Sequence, residues 1–148
     1  MKQVTICTDG SCYPNPGDGG WGFFLESDSG NTHEAFGGEK ETTSSRMELR
    51  AVIEALEFVK PFARSLDVTV RTDSQYVVHG LDQWSASWIK NLWDGIRNKD
   101  LWVCLLALRK QFPSLHVEWC RGHSGELGNE RADALALQGR LSVTGNAS

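Results

Sequence analysis

The sequence lacks the features that mark several common classes of protein. No apolar run approaches the roughly 20 residues that a membrane-spanning helix requires. No signal peptide or basic amphipathic presequence precedes the first predicted strand, so we expect a cytoplasmic protein. The four cysteines, at positions 7, 12, 104 and 120, show neither a CxxC pair nor zinc-ligand spacing. This pattern favours reduced thiols over a disulfide framework or a zinc site.

A surplus of basic residues is also absent. The chain has 15 Lys and Arg against 19 Asp and Glu, which gives a formal net charge of −4. General nucleic-acid-binding proteins usually carry a basic surplus, so the composition counts against that class, although a local basic patch remains compatible with it. The length of 148 residues and the hydrophobic content of 40% are those of an ordinary single globular domain.

Hydrophobic periodicity predicts three strands, a helix, a strand, two helices, a strand and a final helix. The predicted strands are Lys2–Asp9, Trp21–Glu26, Thr32–Gly38, Leu66–Thr72 and His116–Cys120. Pro61 is predicted to close the first helix, and Gly139 to stop the last one, which lies near residues 128–138. A parallel pair joined by a helix, with a hairpin on one edge, predicts an α/β fold with a mixed sheet.

Two predicted strands end in the same way. Asp9 and Asp73 each follow an alternating apolar run and precede a small or hydroxyl residue. If the two strands are parallel neighbours, both carboxylates lie at their carboxyl ends, where open α/β sheets place their sites. Two carboxylates so close would repel each other, which indicates a bound cation. The alternative is that each acid only caps a turn or a helix.

Three further residues are candidates for the same site. Glu48 lies at the edge of the apolar stripe of the first helix, although Ser45 and Glu48 also fit a capping box. Asp133 lies on the final helix, where a solvated helix charge is the alternative. His123 stands in a glycine-flanked loop, where it is either solvated or able to shuttle a proton.

Five motifs together are similar to those of bacterial-type ribonuclease HI. They are Thr-Asp-Gly-Ser from Thr8 with a following Asn-Pro-Gly, Arg46-Met47-Glu48-Leu49, Thr72-Asp73-Ser74-Gln75-Tyr76-Val77, Gly122-His123-Ser124-Gly125 and Asn129-Glu130-Arg131-Ala132-Asp133. Each motif alone is weak, but five in order, from about residue 2 to about residue 140, are specific. The resemblance implies a ribonuclease H-like, five-stranded mixed sheet of three antiparallel and two parallel strands, with helices on both faces. It also implies a catalytic domain over residues 1–141, followed by a disordered tail over 142–148.

The resemblance implies an endonuclease that hydrolyses the RNA strand of RNA–DNA hybrids and leaves 5′-phosphate and 3′-hydroxyl ends. By motif position, the metal ligands are Asp9, Glu48, Asp73 and Asp133, and His123 assists proton transfer or product departure. Two Mg²⁺ ions, with Mn²⁺ as a substitute, would suit these oxygen ligands and an in-line displacement. Monomer is the expected state, with the hybrid as the partner. The alternatives are a non-catalytic hybrid-binding module and a DNA nuclease of the same superfamily.

The resemblance also implies a set of substrate contacts. Those toward the RNA sugar are Cys12, Asn15, Ser45, Gln75 and Asn129, and those toward the DNA strand are Thr43, Arg46 and Trp84. Ordinary packing is the alternative for Trp84 and for Trp88.

The chain departs from the bacterial pattern in two places. Ser44 and Ser45 replace a pair of asparagines, which predicts weaker sugar contacts. The segment Trp84–Trp102, here called the handle, is short, and its three basic residues are nearly offset by Asp94 and Asp100. This composition predicts weaker hybrid affinity, with a shallower salt dependence, than in relatives with a basic handle.

Overall fold

The computed structural model describes residues 2–122 and 125–144. Five strands form one mixed sheet in the order β3-β2-β1-β4-β5. They are β1 (Lys2–Cys12), β2 (Gly17–Ser27), β3 (Thr32–Thr42), β4 (Leu66–Thr72) and β5 (Leu115–Trp119). The β1–β2 and β2–β3 pairs are antiparallel, and the β1–β4 and β4–β5 pairs are parallel. The predicted fold class is therefore confirmed.

Five α-helices connect or flank these strands in the described residues. They are α1 (Ser44–Val59), α2 (Gln75–His79), α3 (Ser85–Lys90), α4 (Lys99–Arg109) and α5 (Leu127–Thr144). A 3₁₀ segment, Lys60–Ser65, follows α1 and has Pro61 near its start, because proline is tolerated in a first turn but not in a helix interior. A π-helical turn, Gly80–Trp84, links α2 to α3. No helix in the described part of the chain is long and apolar enough to cross a membrane.

Helices cover both faces of the sheet. Successive side chains of β1 point to opposite faces, so β1 packs against a helix on each side. Ile6 is fully buried in the main core with Leu49 and Val52 of α1. The next residue, Cys7, points to the other face, where its side chain lies against Gly128 of α5. One core therefore joins β1 to α1, and a second layer of contacts seats α5 across β1, β2 and β3.

The end of α5 differs from the prediction. Gly139 does not stop the helix, which continues to Thr144, so residues 142–144 are helical and not part of a disordered tail. The physical reason is tertiary packing: a Cβ atom at Gly139 would overlap the carbonyl oxygen of Gly37 in β3. Gly139 thus allows helix and sheet backbones to approach closely. The remainder of the predicted tail, 145–148, lies outside the described residues.

Candidate active site

Three carboxylates converge at the carboxyl ends of β1 and β4. Asp9 lies late in β1, Asp73 directly follows β4, and Glu48 reaches the same edge from α1. One carboxylate oxygen of each residue lies within 4.8 Å of those of the other two. The parallel register pairs Thr8 with Thr72, so the two aspartates follow side by side. Asp9, Glu48 and Asp73, with Asp133 described below, are here called the acidic edge.

Close approach of α1 to β1 brings Glu48 to this edge. A Cβ atom at Gly10 would lie 2.5 Å from the Glu48 backbone nitrogen, so only glycine allows this spacing. The capping-box alternative for Glu48 is wrong, because the N-cap of α1 is Thr43, whose hydroxyl accepts from the Arg46 backbone N–H. Ser45 lies inside the helix and caps nothing.

Ser74, and not Asp73, caps the helix that follows β4. The Ser74 hydroxyl accepts a hydrogen bond from the Val77 backbone N–H at 3.2 Å. Asp73 is held from β5 instead, since the Trp119 indole N–H donates to the Asp73 backbone carbonyl at 3.1 Å. The helix-cap explanation therefore fails for Asp73.

Burial and mutual repulsion disfavour the charged forms of these acids. Burial, the charge of Asp73 and a hydrogen bond with Asp133 raise the pKa of Asp9 to about 8. Burial, followed by the charges of Asp9 and Asp73, raises the pKa of Glu48 well above its ordinary value. The buried Glu48 Oε2 has no hydrogen-bond partner among the described residues. A divalent cation would give this oxygen a partner and neutralise the cluster, so the residues fit an oxygen-liganded metal.

Asp133 completes the acidic edge from the opposite face of the sheet. With Asp9, Asp73 and Asn129 it lines a small cavity, which also borders Gly122. The α5 backbone places Asp133 here because Ala132 and Ala136 are buried and turn that side of the helix inward. His123, which follows Gly122, lies outside the described residues.

Comparisons with known proteins give the family to which the chain belongs. The RNase H family model matches residues 1–140. The chain belongs to the ribonuclease H family. A ribonuclease H of Cupriavidus metallidurans is 46% identical over 148 residues, which cover 97% of this chain and 99% of that protein. Several relatives of this kind identify the chain as a ribonuclease H enzyme.

Two crystal structures show the same fold in related proteins. LC9-RNase H1, a type 1 RNase H with the type 2 active-site motif, is 29% identical with a TM-score of 0.86, over 96% of this chain and 74% of that chain. LC11-RNase H1 in complex with an RNA/DNA hybrid is 26% identical with a TM-score of 0.73, over 95% of this chain and 99% of that chain.

In this ribonuclease H, two of the three predicted DNA-strand contacts, Thr43 and Arg46, lie at the start of α1. Arg46 makes two 2.9 Å hydrogen bonds with the two carboxylate oxygens of Asp100. Asn98, in a left-handed backbone conformation, bridges Arg46, the Ser45 hydroxyl and the Tyr76 hydroxyl. The charge of Arg46 is thus already balanced by an acid, which the sequence analysis did not anticipate.

The predicted RNA-strand contacts lie at the end of β1, in the turn that follows it, and near the starts of α1, α2 and α5. Asn15 donates to the Ser44 hydroxyl at 2.9 Å, which ties the β1–β2 turn to α1. The Cys12 thiol donates to the Pro14 carbonyl at 3.3 Å. Gln75 is exposed at the start of α2, and Asn129 lines the acidic cavity.

Trp84 and Trp88 differ in exposure. The Trp84 side chain is 40% exposed and contacts Tyr76 and His79. Trp88 is half-buried and packs edge-on against the fully buried Trp102, with 4.9 Å between ring centroids. Packing therefore accounts for Trp88, whereas Trp84 retains a surface that a nucleic acid could contact.

Proposed function

We propose that this ribonuclease H cleaves the RNA strand of RNA–DNA hybrids internally, with two Mg²⁺ ions, and leaves 5′-phosphate and 3′-hydroxyl ends. The observation that carries the proposal is the buried Glu48 Oε2, which belongs to a cluster of three carboxylates and has no hydrogen-bond partner in residues 2–122 and 125–144. The hybrid bound to LC11-RNase H1, a relative of the same fold, supports the substrate class.

Asp9, Glu48, Asp73 and Asp133 would hold the metal ions. Bound there, two such ions would supply activation of the attacking water and stabilisation of the leaving oxygen of the phosphodiester. The raised pKa values of Asp9 and Glu48 mean that these acids must release protons when a cation binds, so metal affinity should fall at low pH. Mn²⁺ shares the oxygen preference and is proposed as a substitute.

Side chains around the acidic edge would position the two strands of the hybrid and transfer protons. We assign Cys12, Asn15, Ser45, Gln75 and Asn129 to the RNA sugar, whose 2′-hydroxyl distinguishes RNA from DNA. Thr43, Arg46 and Trp84 are assigned to the DNA strand. His123 is proposed to transfer a proton at the leaving group or to assist product departure. The monomeric state and the cytoplasmic location stay predictions.

One assay separates this function from its alternatives. Uniform RNA–DNA hybrid, RNA duplex and DNA duplex are each incubated with the protein in Mg²⁺ or in EDTA. The proposal expects internal cuts in the RNA strand of the hybrid alone, lost in EDTA, with 5′-phosphate ends on the products. A hybrid-binding module would retain the hybrid uncut, and a DNA nuclease would cut the DNA duplex.

A further inference from the structure

An arginine side chain and an exposed aromatic ring lie next to the acidic edge. Ser11 follows Asp9 by two residues in β1, so both side chains point to the same face of the sheet. The Arg140 Nε of α5 donates a hydrogen bond to the Ser11 hydroxyl at 3.0 Å. Two residues of strand span about 7 Å, a distance comparable with that between consecutive phosphates of a nucleic-acid strand.

Arg140 has no acidic partner in the residues that the structure describes. Arg46, Arg71 and Arg131, in contrast, are each paired with a carboxylate. Asp18, an acid near the start of β2, accepts a hydrogen bond from Thr144 instead. Only Nε of Arg140 is used within the described part of the protein, so both terminal nitrogens remain available for an anion.

Tyr13 is the exposed aromatic residue beside Arg140. Its side chain is 73% exposed, and the Arg140 guanidinium carbon lies 5.9 Å from the ring centroid. This contact orients the guanidinium and leaves the remaining ring surface open to solvent. A positive group beside an exposed aromatic ring is the arrangement by which proteins hold single nucleic-acid strands.

We propose that Arg140, seated on Ser11 and Tyr13, binds a phosphate of the RNA strand next to the phosphate that is cut. The inference rests on the proposed function, because it needs the scissile phosphate to lie over the acidic edge. The planar guanidinium suits a phosphate, which it can contact with two parallel N–H groups. It also places one phosphate contact outside the weakly basic handle.

The test is the salt dependence of hybrid binding. Fluorescence anisotropy in EDTA, where no cleavage is expected, measures Kd for a hybrid over a range of salt concentrations. Each phosphate contact contributes about 0.7 to 0.9 to the slope of log K against log salt, so Arg140→Gln should reduce the slope by nearly one. Arg140→Lys keeps the charge and should restore most of the slope, although it loses the bond to Ser11.

Arg64→Gln is the matched control. Arg64 is exposed and, like Arg140, has no ion-pair partner among the described residues, but it precedes β4, at the opposite end of the strand from Asp73. It removes the same charge and should leave the slope unchanged. Tyr13→Leu should weaken binding severalfold at an unaltered slope, because it removes a ring and not a charge.

Two outcomes overturn the inference. One is an Arg140→Gln protein that unfolds at the parental temperature and keeps the parental slope. The other is an Arg64→Gln protein whose slope falls as much as that of Arg140→Gln, which would reveal a long-range charge effect. Failure of the proposed function looks different, because the parent protein itself would then neither prefer nor cut the hybrid.

Discussion

The acidic edge and the handle differ in how firmly the fold holds them. The acids of the edge come from two paired strands and two long helices, and Asp9 and the Glu48 Oε2 atom are buried. In the handle, Leu92, Trp93 and Gly95 have φ angles of 56°, 61° and 69°, and the Leu92 side chain is 84% exposed. The comparison shows that groups needed at fixed separations are built into the core, whereas groups that tune affinity can occupy a strained, exposed segment.

The largest effect is expected from the acidic edge. Asp9→Asn should lower kcat on a hybrid in Mg²⁺ by at least 10³-fold, because it removes a proposed negative metal ligand from a site whose proposed chemistry depends on bound cations. Cleavage of a labelled hybrid under single-turnover conditions measures this loss. An Asp9→Asn protein that retained more than a tenth of parental activity would remove Asp9 from the metal site.

Stability provides the control for that variant. Because the folded-state pKa of Asp9 is about 8 and the unfolded value is about 4, the folded protein binds more protons between these pH values. Its free energy of unfolding therefore falls as pH rises through that window. In metal-free buffer at pH 8, Asp9→Asn should raise the unfolding free energy by about 1 to 2 kcal/mol, as measured by urea titration. A loss of several kcal/mol would identify Asp9 as a structural residue.

His123→Ala should have the next largest effect. We expect turnover to fall by about 10²-fold, the lower end of the usual contribution of a positioned proton-transfer group. Isothermal calorimetry with Mn²⁺ should show nearly unchanged metal affinity. A collapse of that affinity would instead reclassify His123 as a metal ligand.

Substitutions in the handle should have a smaller effect, which is expected in the affinity for the hybrid. Asp100→Asn releases Arg46 from its bidentate ion pair and should tighten hybrid binding up to about tenfold, with a salt slope steeper by about 0.9. Asp94→Asn is the control, because it removes the same charge from the handle at a position without an ion pair in the described residues. Equal effects of the two substitutions would show that net charge, and not Arg46, is responsible.

The smallest effect is expected at Ser45. Its hydroxyl accepts from the Asn98 amide at 3.3 Å and lies 3.3 Å from the Thr43 hydroxyl. Ser45→Asn restores the amide of the bacterial pattern and should lower Kd for the hybrid by roughly threefold, equivalent to about 0.6 kcal/mol for one added hydrogen bond. Kd for duplex DNA is the control and should not change; an equal gain there would rule out a contact specific to the RNA sugar.

Local patterns predicted the acidic edge well because each part of it carries its own sequence signal. The alternation in Leu66–Thr72 defines β4 to its end residues, and Asp73 follows directly. The predicted first strand stopped too early at Asp9, because pairing with β2 continues through Gly10 and Ser11 to Cys12. The ion pair of Arg46 with Asp100 could not be predicted in this way, because 54 residues separate its partners and no periodicity relates them. The hydrogen bond from the Trp119 indole to the Asp73 carbonyl could not be predicted for the same reason. Gly139 was misjudged because its local preference to end a helix was outweighed by contact with Gly37.

The contact between Gly139 and Gly37 sets the position of α5, and with it the position of Asp133. Gly139 lies six residues after Asp133, about 9 Å along a helix, and it is neither a proposed metal ligand nor a proposed substrate contact. A single methyl group there would push the helix away from β3 and tilt Asp133 out of reach of Asp9. A substitution at Gly139 is therefore expected to abolish activity while the sheet and the core stay folded.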